Sequence, residues 1–234
     1  MKNLPRLDSD AQNQIDKQYE NRLESLQAVD EMVENIVNQL QANEQFDDTY
    51  LIFASDNGWH LGEHRTSEKG TAYEESIHMP LGIRGPGIPA GRRTSQVALN
   101  IDLAPTFADL AGTTAPDFVD GRSLMPTFSS DAPSWRTAFL EEYWARNAHK
   151  SVRTADGKKF IRYNNGEEEY YDLNEDPHEL DNAYQALDNA YQAADQSLID
   201  ALKSRLDTLE LKRRLYALED CVGKSCRAAE DGSW

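Results

Sequence analysis

Apolar side chains recur at steps of three and four residues from Ile15 to Leu40, through Tyr19, Leu23, Leu26, Val29, Val33, Ile36 and Val37. That period predicts one amphipathic helix with a charged outer face. Polar residues from Asn43 to Asp48 break it. Thr49 to Ala54 (TYLIFA) then has the composition of a short strand buried on both faces. A helix leading into such a strand implies an α/β layer with a parallel or mixed sheet. The strand stops at Ser55-Asp56-Asn57-Gly58, and in open α/β sheets ligands gather beyond the carboxyl ends of strands. Met79 to Ile83 is a second apolar run, ending in the loop-like RGPGIPAG, and Val97 to Ile101 reads as a third strand. Asp102 is placed to cap a short helix from Leu103 to Ala111, with Pro105 tolerated in its first turn and Gly112 as the stop.

Beyond about Pro133 the texture changes. Ser151 to Thr154, Lys159 to Tyr163 and Glu169 to Leu173 are short β-rich segments separated by turn signals at Asp156-Gly157 and Asn164-Asn165-Gly166. They predict an antiparallel meander, hence a smaller second subdomain. The expected division is residues 1–135 for the α/β part and 136–234 for antiparallel strands and helices. Asp176-Pro177-His178-Glu179 has the cap, proline and acid of a helix start. LDNAYQA then occurs twice, at Leu180 to Ala186 and Leu187 to Ala193, which reads as a helix lengthened by two turns and not as a solenoid. A further helix runs to about Leu218.

Charge narrows the function classes. The 234 residues carry 24 basic and 41 acidic side chains, a net −17, a field that repels nucleic acid and anionic lipid surfaces. The longest apolar run, Tyr50 to Ala54, is far too short to span a membrane. The opening MKNLPRLDSDAQ has no apolar core, so no signal peptide is expected in it. A mean hydropathy of −0.73 leaves burial thin for an independent fold. Cys221 and Cys226, the two cysteines, are separated by four residues. They have too few soft neighbours for zinc, which leaves a local disulfide or two thiols.

The densest chemistry lies between Ser55 and Ser76. Asp56 and Asn57 offer a carboxylate and an amide oxygen at a strand end, donors that suit a hard ion such as calcium, although two donors do not fill its shell. From spacing alone Asp-Asn-Gly reads first as a turn. His60, His64, Arg65 and Lys69 reverse the local sign of charge, as an anion site requires and as a solvated loop also allows.

The string YLIFASDNGWHLGEHR, followed by Lys69 and YEESIHMPLGIRGPGIPAG, resembles the carboxy-terminal half of the formylglycine-dependent sulfatases of the alkaline phosphatase superfamily. NIDLAPTFADLAG, DGRSLMP, SVRTADGKKFIRY and YYDLNEDPHELDN agree in the same order, so the resemblance covers nearly the whole chain. It implies an α/β fold, the carboxy-terminal part of a sulfatase sheet plus a smaller antiparallel subdomain, in an enzyme that hydrolyses sulfate esters of sugars. By the same resemblance Asp56 and Asn57 are calcium ligands and Lys69 grips the sulfate. His60 acts with Lys69 in catalysis and lines the substrate pocket, and His64 and Arg65 join them in binding substrate, with His64 chiefly orienting the loop. Glu74 and Glu75 brace that loop, and His78 stands where relatives carry arginine. CVGKSC resembles a disulfide pair of exported members, implying an extracytoplasmic parent. The family's nucleophile arises within Cys/Ser-x-Pro-x-Arg, a string this sequence does not contain. The expectation is therefore a chain inactive by itself, whose partners are a sulfated carbohydrate and the amino-terminal half of the enzyme. The alternatives are a non-catalytic sulfated-glycan-binding or partner-subunit remnant and a phosphoester or phosphonate hydrolase of the same superfamily.

Overall fold

A computed structural model describes residues 4–132, 134–145, 148–186 and 193–219. The chain forms two compact units that divide between Thr94 and Ser95. Cys221 and Cys226, and most of the second LDNAYQA copy, lie outside the described residues.

The first unit opens with helix α1, Ser9–Ala42, longer at both ends than its apolar period. Asp8 caps it, its carboxylate accepting the Ala11 N–H at 2.8 Å. The expected apolar stripe is present, yet none of the helix's residues is buried. Tyr19 is 52% and Leu26 53% exposed. Strand β1, Leu51–Ala54, follows. Its expected burial on both faces is corrected by Phe53, which is 49% exposed. The physical reason is a lack of neighbours: among the described residues its only ladder is with β4, Leu81–Arg84, and that pairing is antiparallel. Between these two strands lie the short strands β2, His60–Leu61, and β3, Ser67–Glu68, and the single-turn helix α2, Glu74–Ile77. Among this unit's described residues the buried ones are His60, Ala72, Tyr73 and Ser76. The best-packed part of the unit is therefore the loop that follows β1.

In the second unit Val97 to Ile101 is not a strand. The Trp135 indole and the Arg136 guanidinium bond the carbonyl of Val97, and the Gln96 amide bonds Ala132 in both directions, so these groups are committed to a loop. Helix α3 covers Leu103–Leu110 and ends at Gly112, whose φ of 69° is left-handed. Asp102 does not cap α3 through its side chain. Its buried carboxylate instead accepts the N–H groups of Leu99 and Arg122 and both terminal nitrogens of Arg136, a bidentate pair worth more than a cap bond.

The meander has four strands. They are β5, Ala138–Tyr143, which the sequence reading passed over, β6, His149–Thr154, β7, Lys158–Tyr163, and β8, Glu168–Asp172. They pair antiparallel in chain order. Helices α4, Ala183–Ala186, and α5, Ala193–Glu219, complete the unit. Val152, Phe160 and Tyr170 of the sheet pack on Ile199, Leu202 and Leu206 of α5 to form the core. The helix expected at Asp176 is a turn: the Asp176 carboxylate accepts the N–H groups of Leu180 and Asp181. Glu179, in left-handed backbone at φ 52°, is turned inward to a fully buried ion pair with Lys159 at 2.8 Å. That pairing outweighs the local helix signal.

Candidate functional site

The chain leaves β1 at Ala54 and places Asp56 and Asn57 beyond the carboxyl end of the strand. The Ser55 hydroxyl donates to the Asn57 carbonyl at 2.9 Å, and the Asp56 carboxylate accepts the Asn57 N–H at 2.9 Å. Asp56 is exposed and Asn57 half-buried. Lys69, thirteen residues after Asp56 in sequence, returns to the same place: its ammonium donates to Asn57 Oδ1 at 2.7 Å. Pairing of His60 with Glu68 across β2 and β3 brings it back. Two left-handed residues, Glu68 at φ 79° and Gly70 at φ 91°, then turn the chain on either side of Lys69. Lys69 is exposed, so the group that the sequence assigned to sulfate faces solvent.

The two histidines form a second cluster. His60 is 0% exposed, and its Nε2 lies 2.7 Å from the Thr71 hydroxyl. Its Nδ1 is buried without a hydrogen-bond partner. Burial pushes the His60 pKa below the ordinary imidazole value, against the opposing pull of Glu75. His64, in left-handed backbone at φ 53°, stacks on Tyr73 at 3.8 Å between ring centroids and places Nε2 3.3 Å from Glu75 Oε2. Glu75 thus lies against His64 of the loop. Glu74 meets the exposed His78 at 3.7 Å. Arg65 goes elsewhere, donating to the carbonyl of Leu4 at 2.6 Å.

The structure therefore brings Asp56, Asn57 and Lys69 together, gathers His60 and His64 with Thr71 and Tyr73 in a separate cluster where His64 stacks on Tyr73 and His60 meets both rings edge-on, and ties Arg65 to the amino-terminal segment. His60, the second residue assigned to catalysis, presents no surface to a solute here. Three participants escaped the sequence reading: Thr71, Tyr73 and Ser76. A signal for them was available in Gly58 and Gly70, each directly after a candidate site residue, since glycine marks close backbone approach. A Cβ at Gly58 would stand 2.1 Å from the Glu75 carbonyl oxygen.

Asp56 and Asn57 match calcium's preference for oxygen donors. Among the described residues no group of three acidic, histidine or cysteine side chains converges on a metal position, so this chain fits two positions of such a shell and not a whole one.

Comparison with known proteins decides the ancestry. The family described as N-sulphoglucosamine sulphohydrolase, C-terminal, matches residues 62–212 and that described as Sulfatase matches residues 5–113. The chain belongs to the sulfatase family. It is 37% identical over 166 residues to an N-acetylglucosamine-6-O-sulfatase of Bacteroides thetaiotaomicron, covering 66% of this chain and 30% of that protein. A solved structure described as in complex with its substrate D-glucosamine-2-N,6-O-disulfate superimposes with a TM-score of 0.71 at 33% identity, over 86% of this chain and 41% of that one. A phosphonate monoester hydrolase of Agrobacterium radiobacter superimposes with a TM-score of 0.69 at 27% identity, over 79% and 39%. The chain thus spans about a third of the length of the curated sulfatase that it matches. These neighbours share the α/β sulfatase fold expected from the sequence.

Proposed function

We propose that this sulfatase chain supplies the carboxy-terminal part of a site that hydrolyses sulfate esters of sugars. The observation that carries the reading is the meeting of Lys69 with Asn57 at a strand's carboxyl end. Lys69 offers an exposed ammonium to the non-bridging sulfate oxygens, whose charge it would stabilise as the ester bond breaks. Asp56 and Asn57 would hold calcium through the carboxylate and the amide oxygen, with the remaining ligands from other polypeptide. When bound, such an ion polarises an ester oxygen as a Lewis acid. The fully buried His60, through Thr71, and His64, through Tyr73, would brace the loop that carries Lys69, while Arg65 is engaged by the Leu4 carbonyl.

The nucleophile and the other ligands come, in this reading, from the amino-terminal part of a sulfatase. That polypeptide covers the exposed stripe of α1 and the faces of β1, since a long helix with no buried residue retains most of its apolar surface for a partner. The sulfated sugar follows from the named activity of the Bacteroides relative, and an extracytoplasmic parent from the terminal cysteine pair. The test is a chimaera in which this chain replaces the matched segment of that relative. Turnover of N-acetylglucosamine 6-sulfate is expected, with kcat/KM lowered by about 10²–10³ in Lys69→Met. A folded chimaera in which Lys69→Met leaves turnover unchanged overturns the reading. Likeness to the Agrobacterium enzyme supports a second reading, a phosphonate monoester hydrolase, which preferential turnover of a phenyl phosphonate monoester by the chimaera would establish.

A further inference from the structure

We infer that Ser76 is the positioning residue that sets Asn57 against Lys69, an inference that rests on the sulfate-site reading. Ser76 is 5% exposed and holds both halves of the site with different atoms. Its carbonyl accepts the N–H of Gly58 at 2.8 Å. Its hydroxyl oxygen accepts the N–H of Gly70 at 3.0 Å and that of Thr71 at 3.4 Å. Gly58 follows Asn57 and Gly70 follows Lys69, so each contact lies one peptide from a site residue. A hydroxyl has two acceptor lone pairs, matching the two N–H donors.

The device is needed because the Lys69 segment does not hold itself. The β2–β3 ladder ends at Glu68. Beyond it the backbone passes through left-handed Glu68, a conformation that a non-glycine residue keeps only where surrounding contacts impose it, and through Gly70, whose left-handed φ leaves its backbone free to adopt others. The Ser76 hydroxyl oxygen holds the Gly70 amide. Ser76 itself is fixed, its N–H donating to the Tyr73 carbonyl at 2.9 Å and its neighbour Glu75 pressing on Gly58. Thr71 is tethered a second time through His60 Nε2, which gives that buried imidazole a place in the same scaffold.

The experiment uses the full chain labelled with nitrogen-15, the variants Ser76→Ala and Ser76→Thr, and inorganic sulfate as probe. In Ser76→Ala the amides of Gly70 and Thr71 exchange with solvent about 5- to 10-fold faster, the loss of one ordinary hydrogen bond. The Gly58 amide, held by a backbone carbonyl, does not change, and Ser76→Thr restores the original rates. Sulfate, followed at Lys69 and Asn57, binds about fivefold more weakly to Ser76→Ala than to the unsubstituted chain. A purely space-filling serine would speed all three amides together or none, and either result overturns the proposal. Should Ser76→Ala not fold, the unsubstituted chain decides: a Gly70 amide exchanging at the unprotected rate overturns it. Sulfate binding that Lys69→Met leaves intact overturns the parent reading instead, a separate result from the exchange pattern.

Discussion

The ammonium of Lys69 donates to the side-chain oxygen of Asn57 at 2.7 Å, so the group assigned to sulfate already engages an oxygen assigned to calcium. A cation at Asn57 meets the lysine charge at contact distance. With only two donors supplied, calcium is expected to bind this chain no more tightly than about 1 mM. Lys69→Met should tighten that binding and Asp56→Ala should abolish it. Isothermal calorimetry reads both, and micromolar affinity surviving Asp56→Ala would remove the metal assignment.

Gly58 is predicted to accept no side chain. The Cβ of Gly58→Ala would lie 2.1 Å from the Glu75 carbonyl oxygen, backbone that must move to admit it. A loss of about 1–3 kcal/mol is expected, in the range of overpacked interiors. Chemical denaturation of the first unit measures it, and an unchanged midpoint would mean that Glu75 does not press on this glycine.

The buried pair of Lys159 and Glu179 gives a prediction remote from the site. Glu179→Gln removes a buried counter-charge from a lysine at 0% exposure, which should cost up to about 3–5 kcal/mol. The double change Lys159→Met with Glu179→Leu should cost less than either single change, because it removes both desolvated charges. Urea midpoints of the unsubstituted protein, Glu179→Gln, Lys159→Met, Glu179→Leu and the double variant test this. Equal losses in single and double variants would show that the cost lies in the left-handed turn at Glu179 and not in the charges.

Acid should weaken the two units over different ranges. His60 has its pKa lowered by burial, so below the ordinary imidazole value of 6.5 the unfolded chain takes up a proton that the folded chain refuses. Stability of the first unit is full above that value and falls as pH drops toward the folded pKa. Glu168 is desolvated, but hydrogen bonds from Lys203, Tyr184 and Arg162 prevail and lower its pKa. Its contribution is full above the ordinary carboxylate value of 4.5 and is lost as pH falls further. Protection factors of the Thr71 and Tyr170 amides, corrected for the intrinsic pH dependence of exchange, should therefore fall in that order as pH drops from 7 to 4, and His60→Gln should remove the earlier change.

Much of this protein could be read along one dimension. The three- and four-residue period of α1, the β-rich runs of β1, β6, β7 and β8, and the turns at Gly157 and Gly166 each depend on neighbours a few residues apart. Such preferences are written in consecutive side chains. So are Asp56, Asn57 and Lys69 as a candidate set, through the strings that carry the sulfatase resemblance.

Tertiary structure decided the rest. Val97 looks like a strand residue, but its carbonyl is taken by Trp135 and Arg136 from almost forty positions away. Asp176 to Glu179 has a helix signature, but the pull of Lys159 on Glu179 is stronger. The stripe of α1 predicts burial, yet burial needs a second surface, and among the described residues none of the positions of α1 is buried. Ser76 is an unremarkable serine until folding lays Gly58 and Gly70 against it. Local propensities amount to tenths of a kcal/mol per residue, whereas a buried charge or an unpaired N–H costs several times more. Wherever the two conflict, contacts between distant residues prevail.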